Sequence, residues 1–531
     1  MIVPVFKTGG RRLRDVVGVF DSHTLPPNWP GLPFPSFGST TSAIPMRDDS
    51  NPRAPRQLRW RDLYREAELY KATVRVYTKP LFHWRKALNV SSDGKALYEL
   101  AGRGLRGLGE IHRQLQREEF RFRPAVALPY NFNGKRRTLY IPPWEERIVD
   151  LLLYRLLNRR LHQWFSPHSY AYRDHRLGLD SCQANIARAL RSVSQPVYLL
   201  KRDISDYFAS VNHSILLGQI AQHVDAPDFL FELIRQRVQF EYQDEEGSHR
   251  ATIGIPFGCA SACLFANVYL TGLDRAIERI SGVQYFRYAD DILVLGADRD
   301  AVVEADRQVA ATLQELTLRT KASHQADFAV SVEDADDARF KAVSEFRHLG
   351  LSFRAGGEVA LSRDKTRKIQ NLFRFAFRRS RKRWKRISDP IERARTLAAI
   401  SCQVSEDGAR NVAILDYYLK HVTGVEQLRL LDRWLAGEVL SLVFGGHKKG
   451  HFAKLSFSQL REFGLPSLVH RWRLIHHGQI ESPFFIWQKQ KAARAFRGTV
   501  ARLARTAGAD QPSLVARKQQ PMMPVREGGC L

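Results

Sequence analysis

The chain has 531 residues, 44% of them hydrophobic, with nine Trp and a formal net charge of +27. Length and composition place it among globular proteins with room for more than one domain, and they exclude a mostly disordered chain. So large an excess of Lys and Arg belongs beside a polyanion, nucleic acid first.

No apolar run approaches the roughly 18 residues of a membrane span, and neither an amphipathic anchor nor a lipidation motif appears, so no membrane partner is expected. The opening MIVPVFKTGGRRLRD has the wrong order and length for a secretory signal, and the expected compartment is the cytoplasm. Cys182, Cys259, Cys263, Cys402 and Cys530 are scattered and read as reduced thiols.

In chain order, residues 1–57 read as an extended arm, because LPPNWPGLPFPSFGSTTSAIP is rich in Pro and Ser. Helical periodicity runs from Leu58 to Phe120 and opens a region ending at 196. Strand-like segments at Thr138–Ile141, Val197–Ile204 and Phe286–Leu295, separated by helical stretches, predict an α+β fold with a central unit over 197–355. From about Thr366 the pattern is almost wholly helical. A basic helical region is expected over 356–506, with a disordered tail at 507–531.

The sharpest local signal is QYFRYADDILVLG, in which apolar strand residues flank Asp290 and Asp291 at a hairpin turn. Adjacent ionised carboxylates repel and are costly to desolvate, and a divalent cation offsets that cost; a solvated Asp-Asp turn gives the same string. A second element adds weight. The strand Val197–Leu200 leads to Asp203, and Asn212 or His213 opens the helix that follows. Three carboxylates from two strands can hold two Mg²⁺, with Mn²⁺ as a substitute, for an in-line phosphoryl displacement. Asp203 is preferred to Asp206 on strand alternation.

With these residues in view, Asp203 followed by Tyr207-Phe208, together with Tyr288-Ala289-Asp290-Asp291, resembles the palm motifs of reverse transcriptases. Lys135-Arg136-Arg137-Thr138-Leu139-Tyr140-Ile141-Pro142 with Glu146-Arg147-Ile148-Val149 resembles the fingers segment, and Ser169-Tyr170-Ala171-Tyr172-Arg173 the next. Gly254-Ile255-Pro256-Phe257-Gly258, running to Phe265-Ala266-Asn267-Val268-Tyr269-Leu270, resembles the motif that contacts template and nucleotide. Phe346-Arg347-His348-Leu349-Gly350-Leu351 resembles the primer grip, and Phe463-Gly464-Leu465-Pro466-Ser467-Leu468-Val469-His470 a segment after the thumb in bacterial relatives. The family usually has Gln where Phe257 stands and often Ser-Pro where Ala262-Cys263 stands. This variant loop is closer to the unknown-group, abortive-infection and diversity-generating bacterial enzymes, with group II intron relatives near.

The resemblance implies a right-hand polymerase with fingers, a ferredoxin-like palm, a helical thumb and an all-α extension. It implies a metal set of Asp203, Ile204, Asp290 and Asp291, and a deoxynucleotide site drawn from Lys135, Arg136, Arg137, Arg173, Tyr207, Phe208, Phe257 and Gly258. Tyr207, or else Phe208, would be the gate against a 2′-hydroxyl, and either ring is also readable as core. Tyr288, His348, Leu349 and Gly350 would meet nucleic acid, as would Arg381, Lys382, Arg383 and Lys385 in the thumb. That thumb run interleaves its cations with Phe373, Phe375, Phe377 and Trp384, which read equally as base-stacking rings or as core. Lys321 is a weaker candidate for the departing pyrophosphate, and the glycines of 254–258 allow either close backbone approach or a plain turn. The implied partners are an RNA template, a non-coding RNA by preference, its cDNA product and dNTPs. A second copy of the chain or an accessory protein is a further partner class. His447 and His451 lack matching Cys or acid neighbours and predict no zinc. No endonuclease-type Cys/His cluster follows the thumb, which favours bacterial antiviral defence as the setting over a mobile element.

Overall fold

The computed structural model describes residues 57–78, 89–97, 99, 104–132, 135–173, 177–322, 325–330, 337–406 and 419–478. The expected arm up to residue 56 and the expected tail lie outside these residues, as do the side chains of Lys135 and Arg136.

Helices α1 (Glu66–Thr78) and α2 (Gly104–Gln116) precede an antiparallel hairpin of β1 (Ala125–Phe132) and β2 (Lys135–Ile141). Only the Thr138–Ile141 part of that hairpin carries a strand pattern in the sequence. Helix α3 (Trp144–Leu161) starts directly after Pro142-Pro143, with Glu145 and Glu146 in its first turn and Arg159 and Arg160 in its last, which suits the helix dipole at both ends. It buries Ile148, Val149, Leu152, Leu153 and Leu156 against its neighbours, and α4 (Leu179–Ser192) follows.

The central sheet is assembled from distant segments. Between β3 (Val197–Asp203) and the next member of this sheet run α5 (His213–Ala221), α6 (Phe229–Val238), the short β4 (Glu241–Gln243) and β5 (Ser248–Arg250), α7 (Ala260–Tyr269) and α8 (Thr271–Glu278). The short pair extends the first sheet to the order β2-β1-β4-β5. The hairpin β6 (Val283–Tyr288) and β7 (Asp291–Gly296), helix α9 (Arg299–Glu315), β8 (Ala326–Val330) and β9 (Lys341–Val343) complete the central sheet in the order β6-β7-β3-β8-β9. Its strands are apolar on both faces because both are covered. Leu200, Ile204, Ile292 and Val294 join one hydrophobic cluster with α3, α5, α6 and α7. Val197, Leu199, Leu293 and Leu295 join a second with α4 and the C-terminal helices.

A small sheet of β10 (Glu345–His348), β11 (Leu351–Arg354) and β12 (Val359–Leu361) leads into α10 (Arg363–Arg379), one short helix at Arg381–Lys385, α11 (Pro390–Glu406), α12 (Glu426–Phe444) and α13 (Leu468–His476). Phe373, Phe377 and Trp384 are core, and the Trp384 indole donates to the Phe377 carbonyl at 2.9 Å. Phe375 alone of that aromatic set is exposed, at 59%. No described helix is long and apolar enough to cross a membrane.

Candidate active site

Asp203 is the last residue of β3 and is paired in register with Asp291, the first residue of β7. In an antiparallel pair, directly opposed residues put their Cβ atoms about 5 Å apart on one face, so these two carboxylates share a side of the sheet. Asp290 sits in the two-residue turn between β6 and β7, closed by the pair Tyr288 and Asp291. Its carbonyl accepts from the Ile204 amide at 3.3 Å, which ties the turn to the end of β3. The Ile204 side chain is in the core, so only its backbone can serve a ligand. Asp206 lies outside the pairing in a left-handed turn at φ 42° and is exposed. The Lys321 amide donates to the Asp203 carbonyl at 2.7 Å, and the Ser205 amide to the Arg319 carbonyl at 2.8 Å.

A wall of rings stands beside these acids. The single helical turn Tyr207–Ser210 follows Asp206, and its two aromatics part company. Tyr207 is 2% exposed and its hydroxyl donates to the Ala266 carbonyl, so it is core and not a nucleotide contact. Burial, with Asp290 nearby, holds its phenol well above the usual range. Phe208 is half-buried and packs edge-on to Tyr172 at 6.4 Å and to Phe257 at 5.7 Å. The exposed Arg137 lays its guanidinium over the Phe257 ring at 5.2 Å. Burial, with Cys263 and Asp290 close, also raises the Tyr172 phenol well above its ordinary value.

The loop 254–258 owes its glycines to protein contacts. A Cβ on Gly254, at φ 85°, would meet the backbone of Phe208 and Ala209 at 3.1 Å, and one on Gly258, at φ 105°, would meet Leu139 Cδ1 at 2.7 Å. The Ile255 amide donates to the Phe208 carbonyl and the Tyr140 amide to that of Phe257, so the loop bridges β2 and the Asp203 segment.

Other expected contacts are turned into the protein. Arg173 spends its guanidinium on the carbonyls of Ser166, Ser169 and His162 and stacks on Phe165, so it braces the 162–173 segment. His348 is 1% exposed with neither ring nitrogen hydrogen-bonded to protein; burial, with Lys201 nearby, pushes its pKa far below the ordinary value. Leu349 is likewise buried, at φ 47°, and its carbonyl accepts from Gln183 at 2.9 Å. Gly350 is half-buried under Lys365, whose Cε lies 2.5 Å from where a Cβ would stand. Tyr288 is 8% exposed and packs in the second cluster. Arg381, Lys382, Arg383 and Lys385 are exposed.

The sequence reading missed a buried polar network directly behind the turn. Arg287 and Asp274 are both wholly buried and form a bidentate pair at 2.6 Å. Arg287 Nη1 also donates to Asn267 Oδ1 at 3.2 Å and to the Ala289 carbonyl at 3.1 Å, while the Tyr285 hydroxyl donates to Asp274. An Arg inside the apolar string QYFRYADD was the available signal, since such a residue is buried only when paired.

Among the described residues no three acid, His or Cys side chains are already gathered into a ligand cluster. The donor set itself, three carboxylates on adjoining backbone with two in register, is the hard-oxygen kind that Mg²⁺ takes.

Residues 131–353 match the family model described as reverse transcriptase (RNA-dependent DNA polymerase). An uncharacterised 91 kDa protein in the cob intron of Schizosaccharomyces pombe is 25% identical over 182 residues, which is 34% of this chain and 22% of that protein. The retron Ec83 reverse transcriptase of Escherichia coli is 27% identical over 121 residues, 22% of this chain and 38% of that one. The chain thus spans well under half the length of these relatives. Telomerase from Candida albicans in complex with a fragment of telomeric RNA superposes with a TM-score of 0.39 at 8% identity, covering 70% of this chain and 71% of that one, too loosely to carry an argument. The paired acids, the ring wall and the match to the reverse transcriptase family model all fall in the same stretch, residues 131–353.

Proposed function

We propose that this chain is an RNA-directed DNA polymerase, adding deoxynucleotides to a 3′ hydroxyl or to a protein hydroxyl on an RNA template. The observation that carries the reading is the register of Asp203 with Asp291, with Asp290 in the adjoining turn. Asp203, Asp290 and Asp291, with the Ile204 carbonyl, would hold two Mg²⁺, which when bound supply charge neutralisation and activation of the attacking hydroxyl. Arg137 above Phe257 offers a cation to the triphosphate, and Phe208, not Tyr207, is the ring free to meet the sugar. Arg381, Lys382, Arg383 and Lys385, exposed on the short helix after α10, would track phosphates of template and product.

The test is to purify the protein with its co-bound RNA, supply labelled dNTPs and Mg²⁺, and compare it with Asp290→Ala/Asp291→Ala. The expected outcome is loss of incorporation by at least about a thousandfold, as for removal of groups that stabilise transition-state charge. Incorporation that survives the double substitution sinks the assignment and leaves a non-catalytic RNA-binding scaffold. Sequencing the product identifies template and primer.

For the biological setting we favour antiviral defence with a non-coding RNA, supported by the variant loop at Phe257 and by the likeness to a retron enzyme. A mobile-element role is the second reading, supported by similarity to a protein in an intron. Phage challenge separates them: a defence enzyme loses protection when its acids are removed, and a mobility enzyme shows none to lose.

A further inference from the structure

Four segments, one of them distant in sequence, meet behind the Asp290 turn. Arg287 leaves β6 on the face opposite Asp203 and is wholly buried. Its Nε and Nη2 are held by the Asp274 carboxylate of α8, which aims Nη1 at two acceptors, Asn267 Oδ1 of α7 and the Ala289 carbonyl. Asn267 in turn accepts from the Ser169 hydroxyl and donates to the Ala171 carbonyl at 2.8 Å. The backbone joins the same pieces, since the Arg287 amide donates to His168 and the Tyr170 amide to Arg287.

The turn needs such a support. Ala289 stands at φ 59°, a conformation a Cβ-bearing residue rarely holds unless its surroundings fix it. Its carbonyl, the one Arg287 binds, belongs to the peptide that leads into Asp290. A guanidinium presents donors in a rigid fork, so Asp274 at one side fixes where Nη1 points at the other.

We propose that Arg287, oriented by Asp274 and Asn267, is a positioning residue that holds the Ala289-Asp290 turn in its ligand-presenting form and couples it to the 169–173 segment. The inference rests on the metal-site reading above. Such outer supports of metal ligands are worth about 10–100-fold in metal affinity or activity.

The experiment compares wild type, Arg287→Lys, Asn267→Ala and Asp290→Ala/Asp291→Ala for Mn²⁺ affinity, measured from free Mn²⁺ by electron paramagnetic resonance. Extension of oligo(dT) on poly(rA) against Mg²⁺ concentration, primer–template affinity and near-ultraviolet circular dichroism are measured alongside. Lys keeps the charge beside Asp274 but cannot span to Ala289. The expected result for Arg287→Lys is Mn²⁺ binding weaker by about tenfold and a matching rise in the Mg²⁺ needed for half-maximal extension, with primer–template affinity and dichroism unchanged. Excess Mg²⁺ then restores part of the rate. Wild-type Mn²⁺ affinity in Arg287→Lys overturns the proposal. Should that variant not fold, Asn267→Ala decides, because it leaves no charge unpaired: unchanged Mn²⁺ affinity there overturns the proposal, and weakened affinity with native dichroism supports it. If wild type binds Mn²⁺ through its aspartates but extends nothing, the polymerase reading falls while the positioning role is still read from the Mn²⁺ affinities.

Discussion

Tyr207 and Phe208 are neighbours in sequence with opposite environments, and this sets two expectations at the residue scale. Tyr207→Phe removes one buried hydrogen bond to the Ala266 carbonyl. It should lower stability by about 1 kcal/mol and leave sugar preference unchanged. Phe208→Ala opens the ring wall and should raise ribonucleotide use relative to deoxynucleotides by about tenfold or more, measured as the ratio of kcat/KM for the two substrates. The acidic trio was legible because carboxylates beside apolar strand residues demand a reason, and strand alternation separated Asp203 from Asp206. The misassigned residues were illegible for equally physical reasons. Whether Tyr207 or Phe208 turns inward depends on the left-handed residue Asp206 before them, which has no pattern of its own. Arg173 reads as a free cation until the chain curls the Ser166 and His162 carbonyls around it.

At the scale of elements, helix α7 shows how a buried cap is built. Asp150 of α3 accepts from the Ala260 and Ser261 amides at the start of α7 and pairs with Arg237 of α6, both side chains 3% exposed. Asp150→Ala therefore strips the cap and strands a buried guanidinium. It should cost about 3–5 kcal/mol, read from the denaturant midpoint, whereas the exposed pair Arg113 with Glu110 should be nearly silent. Long elements were visible in the sequence: the β6–β7 hairpin by its apolar flanks, and α10 by Phe373 and Phe377 four residues apart. Phe375 falls off that stripe, which is why the even choice between stacking and packing resolves differently for it. The short strands β4, β5, β9 and β12 were not visible, since three residues carry no period and their pairing is set by segments far away.

At the scale of the molecule, charge and fold act together. Phe375 shares its helix face with Lys368, Asn371, Arg378 and Arg379, all exposed, and the exposed Lys382 and Arg383 lie on the short helix that follows. Replacing Arg378, Arg379, Lys382 and Arg383 by Gln should weaken RNA binding across sequences alike. It should also flatten the dependence of log K on log salt by about 3, measured by titration at several ionic strengths. The α+β class was readable from the alternation of segment types, but not the sheet order, because β3 waits for partners that begin at residues 291 and 326. That sheet is a partition between two cores, with Leu200 on one side and Leu199 on the other. The partition has a consequence for biosynthesis. As the chain leaves the ribosome, β8 ends at Val330 while the helices that cover the second face run on to Phe444. For roughly 5–25 s at ordinary synthesis rates, only α4 of that cover has been made, and the rest of the apolar face is the surface on which a nascent-chain chaperone would act.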